Sequence, residues 1–178
     1  MRKRIILISC VSQKLSHRAK AKDLYISTLF KLNLKYAEQL APDEIFILSA
    51  KYGLLALEQE IEPYEKTLNS MRSSEIKVWA NHVIEQIKEV CLIDDSEFTF
   101  LAGDKYRKYL LPHIKSYKVP LKGLRIGEQL QKLKVLTSLA VNVRLFTDYS
   151  TSLRGTASHS MKQQSLQMVS TLYFNRLR

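Results

Sequence analysis

The chain has 178 residues, 46% of them hydrophobic and 25% charged, with only 5 Gly and 4 Pro. Those values fit one ordinary globular domain with room for a sizeable core and exclude a chain made of long disordered linkers. Lysine and arginine number 28 against 17 acids, a formal net charge of +11 that points to a polyanionic partner, and no apolar run reaches the roughly 20 residues of a membrane helix.

Arg4-Ile-Ile-Leu-Ile-Ser-Cys10 predicts a first strand buried on both faces. Gln13 to Lys22 is polar and basic without apolar period and reads as a loop carrying His17, Arg18, Lys20 and Lys22. Asp23 fits a helix start. Ile26, Leu29, Phe30, Leu34, Ala37 and Leu40 then recur at helical spacing until Pro42 stops the run. Glu44 to Ala50 predicts a second strand, and Gly53 a turn after it. Leu57 to Asn69 is irregular and acidic, with Glu58, Glu60, Glu62 and Glu65 around Pro63-Tyr64, the kind of long loop that carries function.

Ser73 or Ser74 caps the next predicted helix, striped by Ile76, Trp79, Ala80, Val83, Ile84, Ile87 and Cys91. Cys91 is thereby expected in the core and His82 outside it. Glu97 to Gly103 predicts a third strand, followed by a short helix with Asp104 as its cap. Tyr117 to Leu121 is a candidate fourth strand, placed at an edge by Pro120. A helix is expected from Gly127 to about Val143, then a polar stretch over 145–158, then an amphipathic helix from about Ser160 to Leu177. The alternation predicts an α/β fold: three layers, a mostly parallel sheet of about four strands with helices on both faces, plus C-terminal helices. The expected organisation is an α/β domain over 1–144 and a C-terminal helical extension of the same domain over 145–178.

Polar residues gather where the strands end. Ser9 and Cys10 follow the first strand, Ser49, Lys51 and Tyr52 the second, and Gly103 and Tyr106 the third. Parallel strands bring these ends to one edge, where open α/β sheets bind ligands. Charge is uneven too: residues 1–35 hold nine Lys/Arg against one acid, 36–103 five against thirteen, and 104–144 ten against two. If the two basic segments meet, they form a face for phosphates. Lys14, Arg18, Lys105, Arg107 and Arg125 are its candidates, the last beside Gly123 and Gly127 at a helix start. Tyr106 and Tyr109 alternate with basic residues, a pattern suited to stacking beside phosphate contacts.

The histidines (His17, His82, His113, His159) are scattered and the two cysteines, Cys10 and Cys91, are isolated, so no metal site, disulfide framework or cofactor motif is expected. The cysteine usage and the unconvincing leader at Met1-Arg-Lys-Arg4 point to a reducing cytoplasm. Cys10 beside Lys14 is a candidate thiolate. Glu65 beside Tyr64 is a candidate base or water-positioning carboxylate.

Several blocks carry a family resemblance: Ser9-Cys-Val-Ser-Gln-Lys14, Ala21-Lys-Asp-Leu-Tyr-Ile-Ser27, Leu48-Ser-Ala-Lys-Tyr-Gly-Leu-Leu55, Pro63-Tyr-Glu65, Leu101-Ala-Gly103 with Tyr106, and Ile126-Gly127. Together they resemble a bacterial and phage family of domains of unassigned function. Ser49 to Leu55 with Pro63-Tyr64 is similar to YaaA-type peroxide-stress proteins, which implies DNA binding. Cys10, Lys14, Tyr25 and Ser27 look like a block of archaeosine-synthase-type domains, which implies a uracil-DNA-glycosylase-like core and deazaguanine bases. Where that block has a proline before its cysteine, this chain has Ser9.

These observations together raise the expectation of a nucleobase-directed enzyme on nucleic acid, DNA before RNA, of N-glycosidase type. Catalysis would rest on Glu65, Asp23 and Lys51. The base would meet Ser9, Cys10, Tyr25, Ser27, Ser49, Tyr52 and Tyr64. A non-catalytic DNA- or RNA-binding protein of stress or phage biology, and an enzyme on small nucleotides, stand as the alternatives.

Overall fold

The structure is a computed structural model that describes residues 2–138. The polar stretch over 145–158, the helix expected from Ser160 and the boundary expected at 144 lie outside the described residues.

The chain opens on β1 (Lys3–Ser9), in which Ile5, Ile6, Leu7 and Ile8 are each at most 2% exposed. Alternate residues of a strand face opposite sides, so a strand buried throughout has cover on both faces. An irregular run leads to β2 (Ala19–Lys20) and a single helical turn, α1 (Ala21–Leu24). The longer helix does not start at Asp23, because Tyr25 and Ser27 have extended backbone. It starts as α2 (Thr28–Gln39), capped by Ser27, whose Oγ accepts the Phe30 N–H at 3.2 Å. Its far end turns through Ala41 in the left-handed region, at φ 45°. The Arg4 guanidinium donates to the carbonyls of Leu40 and Ala41, groups a helix end leaves without partners.

β3 (Glu44–Ser49) turns back immediately into β4 (Gly53–Ala56), an antiparallel neighbour where the sequence predicts only a turn at Gly53. Next, β5 (Glu60–Ile61) pairs antiparallel with β2, so the acidic stretch crosses back over the basic one. Glu58 receives both Lys20 and Lys22, and Glu60 receives Arg18 at 3.1 Å.

α3 (Ser73–Val90) buries the predicted stripe from Ile76 to Ile87. Its cap is Arg72 rather than Ser73 or Ser74, and the Glu75 carboxylate accepts the Arg72 N–H at 2.7 Å. Cys91 closes this helix half-buried against the core, and His82 is exposed. β6 (Ser96–Leu101), the short α4 (Asp104–Arg107, with Gly103 at its cap), the two-residue β7 (Tyr117–Lys118) and α5 (126–138) complete the described chain.

The main sheet runs β4-β3-β1-β6-β7. β1 pairs parallel with β3 and β6, and β6 pairs parallel with β7. Four strands are therefore parallel, as expected, and β4 adds a fifth at one edge. The chain moves from β1 to β3 on one side, then back across β1 to β6 on the other. Right-handed connections of this kind place α2 and α3 on opposite faces, giving the three layers. Among the described residues, no helix is long and apolar enough to cross a membrane.

The β3–β4 hairpin closes against α3 through Gly53, which has φ 77°. A Cβ there would stand 2.1 Å from Gln86 Oε1, the atom that accepts the Leu54 N–H at 2.7 Å. Gly53→Ala therefore combines a disfavoured backbone with a lost hydrogen bond. We expect it to cost more than about 1 kcal/mol of unfolding free energy, read as a lower urea midpoint at unchanged slope.

Candidate functional site

The two connections that leave β1 and β6 run to opposite sides, which makes the carboxyl ends of this strand pair the reversal point of the sheet. A cleft of about 860 Å³ opens there. Its base is Ser9 and Cys10 after β1 with Leu101 to Gly103 after β6. One wall is polar, formed by Glu65, Lys66, Asn69 and Lys105. The other is largely apolar, formed by Leu29 of α2 with Leu121 and Leu124 on the approach to α5 and Ile126 at its start.

Cys10 Sγ lies 3.1 Å from Tyr106 Oη at the base of the cleft, and both residues are buried. Trp79 of α3 meets the Tyr106 ring edge-on at 5.6 Å. Lys14 holds its ammonium 4.4 Å from the centroid of the Tyr64 ring and donates to the Ser12 carbonyl at 3.3 Å. Lys105 donates to the Asn69 carbonyl at 3.0 Å. The Glu65 carboxylate is exposed to the cleft, and no hydrogen bond or ion pair holds it among the described residues.

A chain of buried hydroxyls adjoins this base. Tyr64 Oη lies 2.7 Å from Ser49 Oγ and 2.8 Å from Tyr25 Oη. Ser49 Oγ also accepts the N–H groups of Lys51 and Tyr52, at 3.2 and 3.1 Å, and the Trp79 indole donates to the Ser49 carbonyl at 2.9 Å. The end of β3 is thus closed by hydrogen bonds to two side chains, Tyr64 and Trp79, and to the backbone of its own turn. Burial, above all, pushes the phenols of Tyr25, Tyr64 and Tyr106 up from the ordinary tyrosine value, so they stay neutral hydrogen-bonding groups.

The structure brings together Ser9, Cys10, Lys14, Glu65, Lys105 and Arg107 of the residues expected at the site. Arg107, however, is committed to its own turn: it donates to the Ala102 carbonyl at 2.8 Å and pairs with Asp104 at 3.3 Å, leaving its side chain 13% exposed. Tyr25 and Ser49 are fully buried with every hydroxyl partnered, so they support Tyr64 and offer no surface to a base. Ser27 Oγ is committed to capping α2. Asp23 lies in a separate shallow depression with Lys22, Lys31 and Glu38, and so does not share the cleft with Glu65. Arg18 is paired with Glu60 on the two-stranded ribbon.

Lys51 and Tyr52 sit behind Tyr64, the Lys51 ammonium 4.8 Å from the Tyr52 ring centroid and the two tyrosine rings edge-to-face at 5.5 Å. The Arg125 side chain is exposed at the start of α5, where its N–H is received by Glu128 at 2.6 Å.

Sequence reasoning missed Asn33. It lies on the buried stripe of α2, four residues after Leu29 and four before Ala37, and lines the apolar wall of the cleft. The available signal was a polar residue at a core position of an otherwise apolar period. No three His, Cys, Asp or Glu side chains converge as a cation site among the described residues.

Fold and cleft together define a doubly wound α/β protein with a ligand-sized crevice at its strand reversal. Residues 5–135 match the model of the family of unknown function DUF6884, and the chain belongs to that family. The matched span contains every cleft residue named above. No curated protein and no solved structure gives a match.

Because the buried phenols titrate higher in the folded chain than in the unfolded one, their contribution to stability is complete below the unfolded value. It is lost as pH rises beyond about 10, where unfolded tyrosines ionise and the native ones do not. Urea unfolding measured between pH 9 and 11 should show stability falling with pH. Tyr64→Phe should flatten that fall.

Proposed function

We propose that this chain is a nucleobase-directed enzyme on nucleic acid, of N-glycosidase type, working in the cleft between the ends of β1 and β6. The observation that carries the reading is the polar lining of the cleft, to which the unpartnered Glu65, Lys14, Lys66 and Lys105 all belong. Three ammonium groups suit the phosphates flanking a displaced nucleotide. A carboxylate among them suits the positive sugar that forms as the bond to the base breaks.

In the proposed step the C1′–N bond breaks and its electron pair leaves with the base. The departing base takes up a proton from solvent water, to which Glu65 returns its own after the addition that follows. Water, held by Glu65, adds to C1′, and the carboxylate receives its proton. The protein supplies position and electrostatics: Cys10 and Tyr106 present hydrogen-bonding groups at the base of the cleft, and Lys14 is steadied on the Tyr64 ring. The resemblance of Ser49 to Leu55 with Pro63-Tyr64 to YaaA-type proteins supports a nucleic-acid partner. The likeness of Cys10, Lys14, Tyr25 and Ser27 to archaeosine-synthase-type domains supports a base as the group acted upon.

Purified protein incubated with genomic DNA and RNA containing ordinary and hypermodified bases should release a free base, scored by mass spectrometry together with abasic sites. Glu65→Gln should abolish release by at least about 100-fold while leaving salt-sensitive binding intact. Lys14→Gln and Lys105→Gln should each reduce the slope of log affinity against log salt by about 0.9. No release from any pool would remove the glycosidase assignment. Binding with a normal salt slope would then leave a nucleic-acid-binding protein, and protection by free nucleotides with little salt dependence would leave a small-nucleotide enzyme.

A further inference from the structure

We infer that the α2–α5 wall of the cleft is a base-edge subsite. In it Asn33 pairs with a planar heterocycle that presents an N–H donor beside a ring-nitrogen or carbonyl acceptor. The inference rests on the nucleobase reading above and names the residue that sets its specificity.

Asn33 is 5% exposed, and its Oδ1 is out of solvent without a hydrogen-bond partner among the described residues. Unpartnered buried acceptors are rare in folded proteins, since each costs roughly 1–3 kcal/mol of desolvation that no bond returns. Asn33 is among the residues that line the cleft. Its surroundings argue against water-filled polar space: Leu29 stands one helical turn before it, and Leu121 and Leu124 face the same cavity. Gln129, the polar α5 residue among the cleft's lining, is tied back by its Nε2 to the Leu124 carbonyl at 2.8 Å.

A side-chain amide presents one acceptor and a pair of donors side by side. That edge complements the donor–acceptor edge of adenine, cytosine or uracil, in the way Asn and Gln read adenine in a groove. Phosphate fits poorly here, because its oxygens would oppose the Oδ1 lone pairs. The two walls therefore divide the ligand. The flat, largely apolar base lies between α2 and α5 against the leucines, and the charged backbone lies opposite, on the wall of Lys66 and Lys105.

The test is calorimetric binding of adenosine, cytidine, guanosine and uridine to the full chain, alongside N6,N6-dimethyladenosine and 3-methyluridine, in which the edge donor is replaced by methyl. Adenosine or uridine should bind, and its methylated counterpart should bind about 10- to 100-fold more weakly. Asn33→Leu and Asn33→Ala should lose affinity for the parent nucleoside by a similar factor. Asn33→Leu should melt at or above the wild-type temperature, because an orphaned acceptor is replaced by an apolar group of similar size; a residue with a purely structural role would lower it.

Absence of binding by every nucleoside overturns the inference. So do methylated nucleosides that bind as tightly as their parents, or binding that survives both substitutions. If neither variant folds, the methylated nucleosides with wild-type protein decide alone. Base release, followed separately, keeps the two readings apart. Binding through Asn33 without release removes the glycosidase and leaves the subsite, whereas release unaffected by Asn33→Leu removes the subsite and leaves the glycosidase.

Discussion

The central position of β1 governs the rest of this molecule. Ile5 through Ile8 have no face that tolerates water, so the strand needs parallel neighbours on both edges and helices above and below. A chain can satisfy that only by building outward to β3, then recrossing to β6. The recrossing splits the layers at one place, the carboxyl ends of β1 and β6, and the cleft is the space left there. The cleft is thus a geometric by-product of covering one strand, and Cys10, Glu65 and the lysines line it.

The end of β3 shows the opposite use of the same edge. It too carries polar residues, yet it turns back at once into β4, and Tyr64 lies against Ser49. Every hydroxyl there finds a partner inside the protein. One strand end is therefore closed by internal hydrogen bonds while its neighbour stays open, and the Tyr64 ring beneath Lys14 links the two. This closure fixes the position of the acidic stretch whose next residue is Glu65.

Long continuous patterns were legible in the sequence. Two strands of unbroken apolar residues, a third interrupted only by Thr99, and the six-residue stripe of α3 marked the architecture, because burial on two faces or on one helical face leaves a repeating trace. Of the short elements, only β7 and α4 were legible, from Pro120 and from Asp104. β2 and β5 are two residues each, and β4 is four, too brief for a period to emerge. The break before α2 was hidden because Ile26 continues the helical spacing although its neighbours are extended. At the site, residue type was a better guide than role. Tyr25 and Ser49 meet Tyr64 by the end of β3, and Ser27 caps α2, but a hydroxyl in the sequence does not say whether it faces a ligand, a backbone N–H or a neighbouring phenol. Asn33 was overlooked for the complementary reason: one polar residue within a stripe reads as an imperfection until the cavity beside it is visible.

Trp79 is the only tryptophan in the chain. Its indole N–H is anchored on the Ser49 carbonyl, and its ring abuts Tyr106, whose hydroxyl meets the Cys10 thiol at the base of the cleft. All indole fluorescence of the protein therefore originates at the joint between the closed strand end and the open one. The molecule carries an optical gauge of its own cleft: whatever settles on Cys10 and Tyr106 alters the surroundings of a single emitter, and occupancy becomes visible without a label.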